Sequence, residues 1–309
     1  MIHFLTDTTT TDIARELNRA QEHYTLTTGR VLTLVIVASA SDDVEAILQA
    51  SRDASHEHPA RVLILLIADS SDETYLDAEL RVGGEAGASE IVVMTLNGDM
   101  AHHPSAIVTP LLLPDTPIVA WWPKLHPDKP STDPIGQIAQ RRITTATEFS
   151  KLAQHYAPGD SDTAWSGITA WRGIVASALD RYPNHNVERV TISGDGGPEQ
   201  TIAAGWLADA LGVEVSYQSH NTARTNASAD ISVVPEQFAI EKLELFMDDG
   251  ESIRVSCADN HTVSVEIPGA ARSLVALNVR CWAERLSEEL RHLEPDEIYA
   301  RSLHASQNL

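Results

Sequence analysis

Four segments of this chain are continuously apolar and rich in β-branched residues, and they constrain the fold more than any other feature. They are Arg30-Val31-Leu32-Thr33-Leu34-Val35-Ile36-Val37-Ala38, Arg61-Val62-Leu63-Ile64-Leu65-Leu66-Ile67-Ala68, Glu90-Ile91-Val92-Val93-Met94-Thr95-Leu96 and Pro117-Ile118-Val119-Ala120-Trp121-Trp122. A half-buried strand alternates apolar with polar residues. An uninterrupted apolar run of strand length instead requires burial on both faces, the situation of a parallel sheet between two helical layers. A segment of helical character at 12–24 precedes these runs, and others at 41–55 and 105–113 lie between them. The alternation predicts a doubly wound, mostly parallel α/β domain. Arg142-Ile143-Thr144 supplies one further short strand, with a helix near 147–156. Ala157-Pro158-Gly159-Asp160-Ser161-Asp162 then reads as a polar break. At 309 residues a single core has reached the size at which chains divide. The reading is therefore an N-terminal domain over 1–157 and a C-terminal domain over 158–309.

The second half opens with helical spacing over 164–182, where Trp165, Ile168, Trp171, Arg172, Val175 and Leu179 recur three or four apart. A strand at 187–192, a glycine turn at 194–197, a helix from Pro198 to Leu211 closed by Gly212, and a strand at 213–218 continue the β-α-β theme. Shorter strands at 231–234, 241–247, 252–257 and 262–267, with turns at Asp248-Asp249-Gly250 and Ala258-Asp259-Asn260, predict an antiparallel meander. A long helix over 270–293 is expected to pack across it, and the polar tail 302–309 to fray.

The charge balance is 22 Lys+Arg against 44 Asp+Glu, a formal net charge of −22. Affinity for nucleic acid comes largely from Lys and Arg neutralising phosphates, so this chain reads as no nucleic-acid binder. No basic amphipathic stretch points to a membrane surface, and the longest apolar runs are too short to span one. Two cysteines, Cys257 and Cys281, and an opening segment unlike a signal peptide fit a reducing cytoplasm.

Residue patterns that could carry chemistry are few. Ser193-Gly194-Asp195-Gly196-Gly197-Pro198 follows a strand and opens a helix, so Ser193, Gly194, Gly196 and Gly197 form a possible anion-binding turn. It matches neither the dinucleotide fingerprint nor a P-loop, and Asp195 and Glu199 oppose an anion. A plain strand-to-helix turn is the competing reading. Arg81-Val82-Gly83-Gly84-Glu85-Ala86-Gly87 reads as a loop. His56-Glu57-His58 and His102-His103 lack metal-site spacing and read as solvated, so no metal is expected. Neither cysteine sits in a paired motif, and both read as inert. Trp121 and Trp122 end a parallel strand, on the edge where open α/β sheets bind ligands. Neighbouring strand residues point to opposite faces, so one indole can enter the core while the other faces out as an interface anchor. No nucleophile–base pair or carboxylate pair can be assembled, and no cofactor is called for.

Several of these segments, in order, resemble the glucose-6-phosphate dehydrogenase assembly protein (OpcA) family. They are Gly29-Arg30-Val31-Leu32-Thr33-Leu34-Val35, His58-Pro59-Ala60-Arg61-Val62, Ala88-Ser89-Glu90-Ile91-Val92-Val93 and, most distinctively, Leu113-Pro114-Asp115-Thr116-Pro117-Ile118-Val119-Ala120-Trp121-Trp122-Pro123. In the second half, Trp165-Ser166-Gly167-Ile168-Thr169-Ala170-Trp171-Arg172 is similar to the family's W-x-R-L-x-x-W-R helix, with Gly167 where a basic or larger residue is expected. Ala204-Gly205-Trp206-Leu207-Ala208 also matches a family segment. The resemblance implies a non-catalytic partner that binds glucose-6-phosphate dehydrogenase, favours its active oligomer and supports the oxidative pentose phosphate pathway. Trp121, Trp122, Trp171 and Arg172 are the candidate partner contacts. The alternative is an enzyme or sensor acting on a sugar phosphate, such as a phosphogluconolactonase-like hydrolase.

Overall fold

The computed structural model describes residues 1–309 except 24–28, 69–72, 84–85, 87–88, 220–237 and 260. The strand expected at 231–234 and the end of the turn at Asn260 lie outside the described residues. In chain order the first half contains β1 (Ile2–Leu5), α1 (Thr10–His23), β2 (Leu32–Ser39), α2 (Val44–Ser55), β3 (Ala60–Ile67), β4 (Leu76–Arg81) and β5 (Glu90–Leu96). These are followed by α3 (Pro104–Val108), β6 (Ile118–Trp122), β7 (Arg141–Thr144), α4 (Ser150–Gln154) and β8 (Asp160–Asp162). The strands form one eight-stranded sheet in the order β1-β4-β5-β3-β2-β6-β7-β8. Neighbours from β5 to β8 run parallel, while β4 and β1 add an antiparallel edge. Every residue of β3 but the last is buried, as the unbroken apolar run required. The doubly wound sheet is thus observed. β1 and β4 lie outside the continuous apolar runs, since Leu76, Ala78 and Leu80 in β4 alternate with Asp77, Glu79 and Arg81.

The second half contains α5 (Thr163–Gly167), α6 (Thr169–Asp180), β9 (Val187–Gly194), α7 (Pro198–Leu211), β10 (Glu214–Ser219), β11 (Ile240–Met247), β12 (Ser252–Asp259), β13 (Thr262–Glu266), β14 (Ser273–Ala276), α8 (Trp282–Arg291) and α9 (Glu297–Ala305). Its six strands are ordered β10-β9-β11-β12-β13-β14, with β10 and β9 parallel and the remaining pairs antiparallel. Among the described residues no helix is long and apolar enough to cross a membrane.

Residues 270–293 do not form one helix. Ser273–Ala276 pairs with β13, and Leu277 and Val279 continue into the second core. Val275, Leu277 and Val279 recur at spacing two, whereas Leu274, on the supposed helical face, is 66% exposed. The helix starts only at α8, where Cys281 and Glu284 form a reciprocal capping box. Nor does α8 cover the meander: Leu286 and Leu290 pack with α2 residues in the core of the first sheet. Conversely, Phe149, Leu152 and Ala153 from the α4 segment join the second core. The second core and the core on the α2 face of the first sheet therefore each contain a helix from the other side of residue 157.

The tail does not fray. Asp296 caps α9 by accepting from Ile298 and Tyr299 amides, and Tyr299 and Leu303 are sealed in the second core. Gly205 on α7 allows this docking, because a Cβ there would lie 2.2 Å from the Ser302 carbonyl oxygen and 2.9 Å from the Ser306 nitrogen. Gly205→Ala should therefore force α9 away and lower stability by about 1–3 kcal/mol. Gly173→Ala, in α6 where an added Cβ meets nothing within 4 Å, should raise it by about 0.5–1 kcal/mol through helix propensity. Urea unfolding of both variants checks the pair. Equal midpoints for Gly205→Ala and wild type would contradict the close helix contact.

Candidate functional site at the junction of the two sheets

The residues expected to contact a partner are mostly interior. Trp121 and Trp122 do point to opposite faces of the first sheet, but both faces are covered. Trp121 is 0% and Trp122 2% exposed, each in a different core cluster. The Trp121 indole N–H donates to Thr145 Oγ1 at 3.3 Å. Trp171 is 1% exposed and meets Trp206 edge-on, with centroids 6.2 Å apart. None of the three indoles offers a surface, which corrects the expectation of an outward-facing anchor. Burial on both sides of a parallel sheet accounts for the first two.

The possible anion turn is likewise already occupied. Gly196, at φ +83°, donates its amide to Gln200 Oε1 at 2.8 Å, and Gly197 donates to Asp195 Oδ1 at 2.8 Å. Gly194 is required because a Cβ would fall 2.1 Å from the Ala239 carbonyl oxygen. Ser193 is buried and its hydroxyl approaches the Lys242 carbonyl oxygen at 3.5 Å. The glycines thus permit a tight strand-to-helix turn whose amides are bonded internally.

Arg172 is different. It belongs to a polar cluster where the first sheet, α5, α6 and the α8–α9 connection meet. Asp162, fully buried at the end of β8, organises the cluster from beneath. It accepts from Thr144 Oγ1 at 2.6 Å and from the Ala146 and Ala164 amides at 2.9 and 2.8 Å, the last capping α5. Burial pushes its carboxyl up to about 7 against these three donors. Next to it, Arg141 Nη2 donates to Glu289 Oε2 at 2.5 Å, and Ser161 Oγ donates to the same oxygen at 2.7 Å. The ion pair is 4% and 2% exposed and joins β7 to α8. Arg141 Nη1 also reaches the Glu294 carbonyl oxygen at 3.2 Å. The Trp165 indole N–H donates to Asp296 Oδ2 at 2.8 Å, and the Arg172 guanidinium lies over the Trp165 ring, 3.4 Å from its centroid. A cavity of about 370 Å³ opens between these groups.

Gly167 fits the same arrangement. A Cβ there would lie 3.0 Å from the Arg285 guanidinium carbon, and Arg285 pairs with Glu199 at 2.6 Å. The basic group near this position thus arrives from α8 and not from the α5 segment itself. Outside the junction, His185, Asp248 and Asp249 gather within 4.8 Å of one another, a cluster the spacing of the sequence did not reveal. Asn186 and Tyr182 donate to its carboxylates, and it clasps the end of α6 to the β11–β12 turn. Cys257 donates its thiol proton to the Ile240 carbonyl oxygen, and burial pushes the thiol up to about 11. Burial raises Cys281 as well. Both half-buried thiols are thus protonated at neutral pH, consistent with unreactive side chains.

Residues 51–157 match the family model described as the N-terminal domain of the glucose-6-phosphate dehydrogenase subunit. Residues 158–303 match the model described as the C-terminal domain of that same subunit. No curated protein matches the chain. Among solved structures, the 3-ketoreductase KijD10 from Actinomadura kijaniata is 9% identical, covering 89% of this chain and 94% of its own, with a TM-score of 0.41. A Gfo/Idh/MocA family oxidoreductase from Vibrio cholerae is 11% identical over 89% and 95%, with a TM-score of 0.34. A biliverdin reductase from Synechocystis is 10% identical over 89% and 96%, also at 0.34. Likeness at this level carries no inference about activity.

Proposed function

This chain belongs to the glucose-6-phosphate dehydrogenase assembly protein (OpcA) family, and on that premise we propose that it is a non-catalytic, cytoplasmic assembly factor and allosteric activator of glucose-6-phosphate dehydrogenase, supporting the oxidative pentose phosphate pathway. The observation that carries this reading is the pair of consecutive family matches, which together run unbroken from residue 51 to 303. The internally bonded glycine turn supports it too, since the competing sugar-phosphate enzyme relied on that turn as its anion cradle.

Activation needs no chemistry from the partner. A protein that binds the active form of an enzyme more tightly than the inactive form shifts the population by its differential affinity. A tenfold gain requires only about 1.4 kcal/mol of coupling. The exchange of helices between the two cores suits such a role, because a body held together at its junction can present one fixed surface to an oligomer. Purified glucose-6-phosphate dehydrogenase assayed with and without this protein should show a higher rate or tighter apparent substrate affinity, together with a larger oligomer on a sizing column. An unchanged rate, affinity and size would overturn the proposal.

A further inference from the structure

The cavity at the junction contains a guanidinium with no anion. The Arg172 side chain makes one hydrogen bond among the described residues, from Nη2 to Thr169 Oγ1 at 3.3 Å, and no carboxylate among them is ion-paired with it. Its Nε is sealed without a partner, and Arg172 lines the cavity. Arg141, 3% exposed as a residue, lines the same cavity, and its Nε is also buried without a partner. Arg172 thus brings to this recess a positive charge with no paired carboxylate, which is costly unless something supplies an anion.

The nearby acids do not supply them. Glu289 is committed to Arg141 and Ser161. Glu288 lies between Arg280 at 3.1 Å and Arg291 at 3.2 Å. Asp296 is taken by the Trp165 indole and the first amides of α9. Glu294 is exposed at the rim. Burial draws Arg172 down to about 10, against the opposing pull of Asp296, Glu289 and Glu288.

We propose that this cavity is a binding site for a small oxyanion, a carboxylate or a phosphate monoester, gripped by Arg172 over a floor formed by Trp165. The stacking holds the guanidinium plane in place, so its fork is set in advance for the planar, bidentate pairing that carboxylates and phosphates offer. The volume of about 370 Å³ falls in the range of small-ligand sites, and the recess lies between elements instead of on a flat face. The occupant is a small molecule and not an acidic macromolecule. A chain of net charge −22 repels a polyanion, whereas one small anion inside a cleft is screened from distant charge beyond about 8–10 Å at physiological salt.

The site is independent of any partner and is tested on the chain alone. Indole N–H resonances would be followed by NMR during titration with inorganic phosphate and, separately, with acetate, each to about 20 mM at constant ionic strength against chloride. The Trp165 indole resonance should move saturably with at least one oxyanion and not with chloride, and the two arms distinguish phosphate from carboxylate. Arg172→Gln should weaken the interaction by about tenfold or more, and Arg172→Lys, which keeps the charge but not the fork, by less. If Arg172→Gln does not fold, the wild-type and Arg172→Lys titrations decide. No saturable shift with either oxyanion, or an unchanged midpoint in the folded Arg172 variants, would overturn the proposal. So would loss of dehydrogenase activation in Arg172→Gln without any oxyanion binding to the wild type, which would assign Arg172 to a protein carboxylate.

Discussion

Glu289→Ala should be among the most damaging single substitutions in this protein, lowering its stability by about 3–5 kcal/mol. Glu289 and Arg141 are almost completely buried, and the carboxylate also accepts from Ser161. Deleting the carboxylate leaves a guanidinium in the interior whose Nε already lacks a partner. It also strands a buried hydroxyl. The cost is the desolvation of those groups, not merely the loss of one attraction. Because the pair joins β7 in the first sheet to α8 from the second half, its loss loosens the point where the two cores exchange helices. At this chain length each kcal/mol corresponds to roughly 2–4 °C, so the thermal midpoint should fall by about 6–20 °C. Glu289→Gln keeps an acceptor for Ser161 and one oxygen for Arg141, and should lose clearly less. Thermal and urea unfolding of the two variants measures this. A loss below about 1 kcal/mol for Glu289→Ala would place the pair in the class of surface ion pairs.

The same pair explains what a reading of the sequence could and could not reach. Strands β2, β3, β5 and β6 are legible because continuous apolar runs have one favourable environment, the interior of a parallel sheet. β8 is not legible that way. Asp160, Ser161 and Asp162 are polar throughout, yet all are buried, and hydropathy alone assigns them to a linker. They are tolerated inside because Arg142 pairs with Asp160, Glu289 accepts from Ser161, and Thr144 with two amides satisfies Asp162. The Ser161–Glu289 partners are 128 residues apart, a distance at which no spacing argument operates. The junction cavity is hidden for the same reason. Arg172 was reachable as part of a family-like helix, but Trp165 meets Asp296 across 131 residues and Arg141 meets Glu289 across 148. The helix expected over 270–293 failed for a local reason. Leu274, Leu277 and Cys281 satisfy helical spacing while Val275, Leu277 and Val279 satisfy strand spacing, and only pairing with β13 decides between them.

Trp171→Ala should separate a core indole from an interface indole. An exposed anchor, when truncated, leaves the free protein as stable as before and weakens only its complex. Trp171 should do the reverse. It is 1% exposed, sits within the second core and presents an edge contact to Trp206 at 6.2 Å. Truncation removes most of a large buried side chain and leaves a cavity, which costs about 3–5 kcal/mol. The lost aromatic pairing adds roughly 0.5–1.5 kcal/mol to the transfer contribution. The melting midpoint should therefore drop by about 10 °C or more, and under the proposed activator role any shortfall in dehydrogenase activation should track the fraction of protein that remains folded. Assaying well below the variant's midpoint tests this directly, since activation per folded molecule should then equal that of the wild type. A normal melting curve combined with lost activation would instead mean that this indole leaves the core to meet the enzyme, and that the helices around it open when the complex forms.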